Sequence, residues 1–189
     1  MAWKNDQVSE EETERILVLA RECLEVPGDF VEMGCYKGDT SLLLAEVVEN
    51  YVEKPVEKRL WIYDSFEGLP EKTEADTSVL GENFRGGELL VTKREVKERF
   101  LRAGLRVPVI KKGWFSELTP EDLPERIAFA FLDGDFYESI RDSLRLVTPK
   151  MSTGGALIIH DYTNPALPGV KRAIEEWGNS DRDFKVVLL

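Results

Sequence analysis

Short apolar runs alternate along the chain with longer segments in which apolar residues recur every third or fourth position. The short runs are typical of buried strands, and the longer spacing is typical of helices that pack on one face. The predicted strands are residues 30–33, 59–63, 107–110, 127–132, 156–159 and 184–189, and the predicted helices are residues 10–25, 40–52, 88–103, 136–147 and 168–177. This alternation predicts an α/β fold with one doubly wound, mostly parallel sheet that carries helices on both faces.

Polar or aromatic side chains follow the predicted strands where the strands end. The continuous apolar run 127–132 is the strongest strand signal and fits a central parallel strand covered on both faces. Right-handed crossovers place the carboxyl ends of all parallel strands at one edge of the sheet. The residues gathered at that edge are Glu32, Asp64, Trp114, Asp133, His160 and Asp161. We therefore expect a binding site there.

The segment from Asp29 to Ser41 joins the first of these strands to a helix through two glycines. Gly34 and Gly38 allow a tight turn and a close approach of a ligand to the backbone. The spacing Glu-x-Gly-x-x-x-Gly matches neither the dinucleotide fingerprint nor a P-loop, and the carboxylate of Glu32 would repel a polyphosphate. A cationic ligand such as S-adenosylmethionine, with its sulfonium and ammonium groups, fits better. The motif resembles motif I of class I methyltransferases, and the alternative is an ordinary turn with structural glycines.

Other strand ends carry candidate contacts, each with a structural alternative. Asp64 stands where folds of this class bind a ribose diol, although a turn or cap aspartate is common there. Trp114 and Phe115 are placed to sandwich an adenine ring, with packing in the core as the rival interpretation. Asp135, together with Glu138, is placed to cap the helix after the fourth strand.

The composition restricts the partners and the location of the protein. The 189 residues carry a net charge of −11, with 42% hydrophobic and 32% charged residues, which is typical of a globular domain. The acidic balance argues against nucleic acid and against an anionic membrane surface as partners. The chain lacks a signal-peptide pattern and an apolar run long enough to span a bilayer, and its two cysteines lack metal-ligand spacing. We therefore expect a cytoplasmic protein with reduced thiols.

A single domain over residues 1–189 is expected from the length. Residues 1–27 contain a capping box at Ser9 and Glu12 and an amphipathic helix, which we interpret as a cover helix over the sheet without visible chemistry. Residues 65–87 form a long stretch without clear periodicity, which is typical of a lid or binding loop in a compact domain.

Six motifs, in order along the chain, carry a resemblance to a known family. They are residues Val31–Gly38, Asp64–Pro70, Gly113–Phe115, Leu132–Ser139, His160–Tyr162 and Pro168–Ala173. Over residues 28–178 the chain resembles the macrocin O-methyltransferase (TylF) family, which includes sugar O-methyltransferases of antibiotic pathways. The resemblance implies a Rossmann-like class I methyltransferase fold and S-adenosylmethionine-dependent O-methylation of a small-molecule hydroxyl.

The resemblance also implies where the cofactor binds. Glu32, Gly34 and Gly38 are expected around the methionine end of S-adenosylmethionine, and Asp64 on its ribose. The full expected set is Glu32, Gly34, Tyr36, Lys37, Gly38, Thr40, Ser41, Asp64, Ser65, Phe66, Gly113, Trp114, Phe115 and Asp133.

A divalent ion, usually Mg²⁺, is implied as well, held by three aspartates. One of them falls on Asp133, whereas the pair after the fifth strand is here His160 and Asp161. Magnesium prefers oxygen ligands, and an imidazole tilts a site toward manganese, iron or zinc, so we consider both Mg²⁺ and Mn²⁺. These three residues are the expected catalytic and metal-binding set. With a metal they would acidify the acceptor hydroxyl, and without one His160 would be the natural general base.

Two departures from the family pattern leave other properties open. Family members close the sheet with a final antiparallel strand, whereas this chain ends at Leu189, so we expect that strand to be absent or the chain to be shortened. A bare strand edge invites pairing with a second chain, which makes a homodimer one expected state. The N-terminal segment is shorter than in the antibiotic enzymes, so their acceptor is not carried over.

Two alternative functions are kept open. One is a catalytically inactive protein that binds S-adenosylmethionine or S-adenosylhomocysteine, suggested by the altered ligand pair and the absent strand. The other is a nucleotide-dependent oxidoreductase that uses the same crevice, although the glycine spacing speaks against it.

Overall fold

The computed structural model describes residues 7–51, 58–81, 84–178 and 182–189. Its helices are α1 (Glu10–Glu22), α2 (Asp39–Glu49), α3 (Lys93–Ala103), α4 (Tyr137–Val147) and α5 (Pro168–Trp177), and its strands are β1 (Asp29–Met33), β2 (Leu60–Asp64), β3 (Val109–Lys112), β4 (Ile127–Leu132), β5 (Met151–Ile159) and β6 (Lys185–Leu188). Within these ranges no helix is both long and apolar enough to cross a membrane. The alternation of strands and helices predicted from the hydrophobic pattern is confirmed.

The six strands form one sheet in the order β3-β2-β1-β4-β5-β6, and every neighbouring pair is parallel. The strand order reverses between β1 and β4, so the carboxyl ends of these two strands flank a crevice at the switch point of the sheet. The predicted fold class is confirmed. In the part of the chain that the structure describes, β6 pairs directly with β5 and no antiparallel strand lies between them.

Helices cover both faces of the sheet because successive strand residues point to opposite sides. Phe30 of β1 lies in a core shared with α1, α2 and α3. Val31, the next residue, lies in the second core, shared with α4 and α5. The strand β4 is buried along its whole length, as its continuous apolar run predicts.

Several element boundaries differ from the prediction by a few residues, and the two largest differences have local reasons. The third helix begins at Lys93 and not at residue 88, because Thr92 and Glu95 form a capping box. In that box the Glu95 N–H donates to Thr92 Oγ1 at 3.2 Å and the Thr92 N–H donates to the Glu95 carboxylate at 2.8 Å. The strand β5 begins at Met151 and not at residue 156, because Met151 pairs with Ile127 ahead of two glycines.

The predicted lid loop over residues 65–87 is partly docked on the helices. Asp76 is 1% exposed, and its carboxylate accepts hydrogen bonds from the backbone N–H groups of Tyr137 at 2.7 Å and Thr73 at 2.9 Å. The tip differs, since Val79 is 98% exposed and Leu80 is 59% exposed. The docked part is thus held in place by the hydrogen bonds of a buried carboxyl group, and the lid function of the loop stays a prediction.

The end of β1 lies directly against the backbone that follows β4. Gly34 has a φ of 90°, and a Cβ added there would lie 2.0 Å from the carbonyl oxygen of Asp133. Only glycine combines this conformation with this approach. The contact sets the spacing of the two strand ends at the crevice.

Gly34→Ala should therefore destabilise the protein more than a substitution that meets only backbone strain. Gly104 is the matched control, because it ends α3 with a φ of 71° and has nothing within 4 Å of an added Cβ. We expect Gly104→Ala to lower the free energy of unfolding by about 1–2 kcal/mol, and Gly34→Ala to lower it by at least twice as much. Urea unfolding of both variants measures this, and equal losses would contradict the steric role of Gly34.

Candidate cofactor and metal site

A cleft opens at the carboxyl edge of the sheet, between the turns that follow β1 and β4. Most residues expected at the cofactor and metal sites line it: Glu32, Gly34, Tyr36, Lys37, Thr40, Asp64, Ser65, Gly113, Trp114, Phe115, Asp133, His160 and Asp161. Lining residues outside the expected set are Gln7, Cys35, Asp39, Gly68, Leu69, Pro70, Phe84, Leu89, Gly134, Asp135, Ser139 and Asn164. Most residues predicted at the strand ends thus lie together at the switch point of the sheet.

Three expected cofactor residues lie outside the cleft lining. Gly38 caps α2 with a φ of 81°, and a Cβ added there would lie 3.3 Å from the side chain of Val96. Ser41 is fully buried and donates a hydrogen bond to Glu32. Phe66 is 5% exposed and packs in the core on the α1–α3 side. These three residues stabilise the turns from the side away from the cleft. The sequence motif does not distinguish them from residues that face the cleft.

Asp64 ties the end of β2 to the glycine turn. One of its oxygens accepts the N–H groups of Cys35 and Tyr36 at 3.0 and 3.1 Å, and the other accepts the N–H of Phe66 at 2.8 Å. A carboxylate offers about four acceptor positions, so capacity remains for a ligand hydroxyl. Asp64 therefore shapes the turn and also borders the cleft, and its contact to a ribose stays a prediction.

Glu32 is a buried carboxyl group at the floor of the cleft. It is 1% exposed, and its Oε2 accepts a hydrogen bond from Ser41 Oγ. Burial, with the nearby carboxylates of Asp133 and Asp64, raises the pKa of Glu32 to about 8. A cation bound above it would stabilise the ionised form.

Trp114 and Phe115 take different positions at the end of β3. Phe115 is 9% exposed and belongs to the core on the α4–α5 side. Trp114 is partly exposed and borders the cleft. Core packing thus accounts for Phe115, whereas Trp114 keeps a ring surface for a ligand.

His160, Asp133 and Asp161 form a compact cluster after β4 and β5. His160 Nδ1 lies 3.1 Å from Asp133 Oδ1 and 3.0 Å from Asp161 Oδ2. Burial lowers the pKa of His160, but the two neighbouring carboxylates raise it to about 11. Burial raises the pKa of Asp161, but hydrogen bonds from His160 and Asn164 bring it below the ordinary value. The carboxylates therefore require a cation between them, either the imidazolium proton or a metal ion.

The cluster fits a divalent metal ion by its donors and its spacing. One ligand atom from each of the three residues lies within 4.8 Å of the others. Metal–ligand bonds of about 2.0–2.2 Å place adjacent ligands roughly 3 Å apart, which matches the distances at His160 Nδ1. Asn164 Nδ2 donates to Asp161 Oδ1 at 2.8 Å and orients that carboxylate. Two carboxylates and one imidazole suit manganese, iron or zinc better than magnesium.

A comparison with protein families decides the family of the chain. The family model described as Macrocin-O-methyltransferase (TylF) matches residues 14–185. The chain belongs to the macrocin O-methyltransferase (TylF) family. The resemblance found in the sequence motifs is therefore confirmed.

The relatives that match this chain are named O-methyltransferases. The chain is 35% identical over 158 residues to the 8-demethyl-8-(2,3-dimethoxy-α-L-rhamnosyl)-tetracenomycin-C 4′-O-methyltransferase of Streptomyces olivaceus, a match that covers 80% of this chain and 58% of the relative. It is 31% identical over 168 residues to the demethyldecarbamoylnovobiocin O-methyltransferase of Streptomyces niveus, covering 83% of this chain and 63% of the relative. The chain therefore spans about three fifths of the length of these two relatives.

Solved structures share the fold. The O-methyltransferase NovP superposes with a TM-score of 0.75 at 29% identity, over 87% of this chain and 69% of that chain. Other structures with this fold were determined with S-adenosylmethionine or S-adenosylhomocysteine bound.

Asp135 has a different place in this TylF-family chain from the one expected. It does not cap α4, because the N–H of Tyr137 donates to Asp76 from the docked loop. Asp135 instead has a φ of 60° and lines the cleft. Burial and the neighbouring carboxylates of Asp133 and Asp161 raise its pKa well above the ordinary value. In the sequence Asp135 is explained as a helix cap, so its place in the cleft was not predicted. The structure shows it because Asp76, from a distant loop, accepts the hydrogen bond at the start of α4.

The N-terminal helix, which is expected to be a cover helix without visible chemistry, also contacts the site. The capping box at Ser9 and Glu12 is confirmed, and Ile16 buries the helix against the core. Glu12 Oε2 lies 3.8 Å from His160 Nε2, and Gln7 lines the cleft. In the sequence the capping box already explains Glu12, so its contact with His160 was not predicted.

Glu32→Gln should remove a pH dependence of stability. Between the ordinary pKa of 4.5 and about 8, the unfolded chain releases the Glu32 proton while the folded protein retains it. The stability that this group contributes is thus fully present below pH 4.5 and is lost as the pH rises toward 8. Its slope reaches up to about 1.4 kcal/mol per pH unit.

Urea unfolding of the ligand-free protein from pH 5 to 8 tests this. From pH 5 to 8 the free energy of unfolding of the wild type should fall relative to that of Glu32→Gln. The difference between the two proteins isolates Glu32, because the other titrating groups of the cluster are present in both. Parallel curves for the two proteins would show that Glu32 ionises normally in the fold.

Proposed function

We propose that this chain is an S-adenosylmethionine-dependent O-methyltransferase whose acceptor is a hydroxyl of a small molecule, such as the sugar of a glycosylated natural product. The observation that carries the proposal is the crevice between β1 and β4, which is lined by carboxylates in a chain of the TylF family. A sulfonium and an ammonium group offset these negative charges, whereas a dinucleotide would add more. The named relatives, which methylate tetracenomycin and novobiocin precursors, support the acceptor class.

The cofactor is expected to lie along the turns at this edge. Its methionine end would meet the backbone of the glycine turn above Glu32, and its ribose would reach Asp64. The exposed face of Trp114 is placed to stack on the adenine ring. Most of the rate enhancement then comes from holding the two reactants in line and excluding water.

The reaction forms a carbon–oxygen bond and breaks the sulfonium carbon–sulfur bond, which leaves S-adenosylhomocysteine and a proton from the hydroxyl. Without a metal ion, the pKa of about 11 keeps His160 protonated at neutral pH, and with one its Nδ1 would be taken up by the metal, so His160 is disfavoured as the general base in either state. Asp135 is better placed, since it lines the cleft and its pKa is raised above the ordinary range by burial and by Asp133 and Asp161. A carboxylate with a raised pKa accepts a proton more readily.

Asp133, His160 and Asp161 would hold a divalent ion, which in such a site lowers the pKa of a coordinated hydroxyl. The intact spacing of this cluster speaks against an inactive binding protein, and Glu32 on the floor of the cleft speaks against an oxidoreductase that binds a dinucleotide.

Because both cores lie on one sheet, we infer one domain. A cytoplasmic location and a homodimer stay predictions.

Binding of S-adenosylhomocysteine tests the cofactor site. By calorimetry we expect micromolar affinity for the wild type and at least tenfold weaker binding for Asp64→Asn, about 1.4 kcal/mol for the loss of a charged acceptor. Glu67→Gln is the matched control, because Glu67 is exposed and lies three positions along in the same segment. No binding by the wild type would refute the methyltransferase proposal, and NADH binding in its place would support the oxidoreductase.

Asp135→Asn tests the base. With radiolabelled S-adenosylmethionine and a panel of rhamnosylated acceptors, kcat should fall by roughly 10²–10⁴, since asparagine accepts no proton. The affinity for S-adenosylhomocysteine should stay within a few-fold of wild type, and Glu138→Gln, an exposed residue on the next turn, should keep full activity. An unchanged kcat for Asp135→Asn would exclude this residue as the base.

A further inference from the structure

The imidazole of His160 is contacted on three sides. Its Nδ1 faces Asp133 and Asp161 at 3.1 and 3.0 Å. Its ring packs against Phe131, with the ring centroids 6.0 Å apart and the planes at 58°. Its Nε2 faces Glu12 Oε2 at 3.8 Å, an ion-pair distance. Nδ1 therefore has two acidic neighbours and Nε2 has a third, which comes from a different part of the chain.

The carboxylate of Glu12 is itself held in place. Glu12 Oε2 accepts hydrogen bonds from Ser9 Oγ at 2.6 Å and from the Ser9 N–H at 3.1 Å. The helix α1 that carries it is anchored by Ile16 and Ala20, which are 1% and 0% exposed. Glu12 is thus a fixed anion beside the ring, and its side chain is 31% exposed against 8% for His160.

We propose that Glu12 is a positioning residue that holds His160 with Nδ1 directed at Asp133 and Asp161, and so completes a site for manganese or a related transition-metal ion. The inference rests on the metal site of the proposed function and adds the residue that orients its nitrogen ligand. A histidine that ligates a metal through one ring nitrogen donates its other N–H to a carboxylate or carbonyl, which fixes the ring and raises its basicity. Glu12 is the carboxylate on that side, and at 3.8 Å it acts on Nε2 as a nearby anion and not through a direct hydrogen bond.

The arrangement links the metal site to the N-terminal helix. A metal ion on Nδ1 leaves the proton on Nε2, where the anion of Glu12 favours it. The same carboxylate closes the capping box of α1. Metal binding and the first turn of α1 therefore stabilise each other, and the chain offers no second histidine that could take the place of His160.

Glu12→Gln isolates this role from helix capping. Glutamine at this position still forms the capping box, because its carbonyl oxygen accepts the same bonds from Ser9. The variant therefore removes the charge opposite Nε2 and leaves the helix start intact. Glu11→Gln is the matched control, since it removes one charge from the same turn at an exposed position.

Mn²⁺ titration followed by electron paramagnetic resonance measures the affinity. We expect Glu12→Gln to bind Mn²⁺ about 10–100-fold more weakly than wild type, and Glu11→Gln to bind like wild type. Because the chain has a single histidine, ¹⁵N-histidine labelling of the Zn²⁺-loaded protein reports only His160. The wild type should show a protonated Nε2 and a metal-bound Nδ1, and Glu12→Gln should shift the Nε2 signal, an effect that a purely structural role of Glu12 would not produce.

Three outcomes would overturn the inference. Glu12→Gln could bind Mn²⁺ like wild type, its His160 signals could remain unchanged, or the wild type could bind neither Mn²⁺ nor Zn²⁺. Titration of S-adenosylhomocysteine on the same proteins keeps the cases apart, because failure of cofactor binding refutes the proposed function and leaves the metal result standing.

Discussion

The crowding of carboxylates at one edge of the sheet is the constraint on which the site depends. Glu32, Asp64, Asp133, Asp135 and Asp161 all border one crevice. Like charges in a partly buried space repel each other, and each must be neutralised by protonation, by hydrogen bonds or by a cation. The fold uses all three means: burial favours the protonated form of Glu32, Asp64 accepts backbone N–H groups, and Asp133 and Asp161 share the imidazole of His160.

This electrostatic arrangement favours positively charged ligands. In the proposed function, a cofactor with a positive sulfonium and a divalent metal ion would both bring positive charge to the crevice. Their binding would return part of the stability lost by crowding the acids, since groups that bind only the folded state stabilise it. The close approach of Gly34 to the carbonyl oxygen of Asp133 keeps the two halves of the crevice together.

His160 distinguishes the proposed metal site from the three aspartates that the family pattern implies. Flanked by carboxylates, the ring is better suited to be a cation or a metal ligand than a base, and in the proposed mechanism Asp135 accepts the proton. The ring also brings α1 into the site through Glu12. The histidine at this strand end thus lies beside a residue almost one hundred and fifty positions away in the sequence.

The sequence by itself determined the order of strands and helices, the position of β4, and the set of polar residues at the strand ends. These follow from local periodicity and from the rule that parallel strands end at one edge, so they need no knowledge of distant contacts. The tertiary structure alone decided which of these residues face the cleft. It buried Ser41 and Phe66, moved the cap of α4 from Asp135 to Asp76, and placed Glu12 beside His160. Each of these outcomes depends on contacts between segments far apart in sequence, and such contacts leave no trace in the spacing of neighbouring residues.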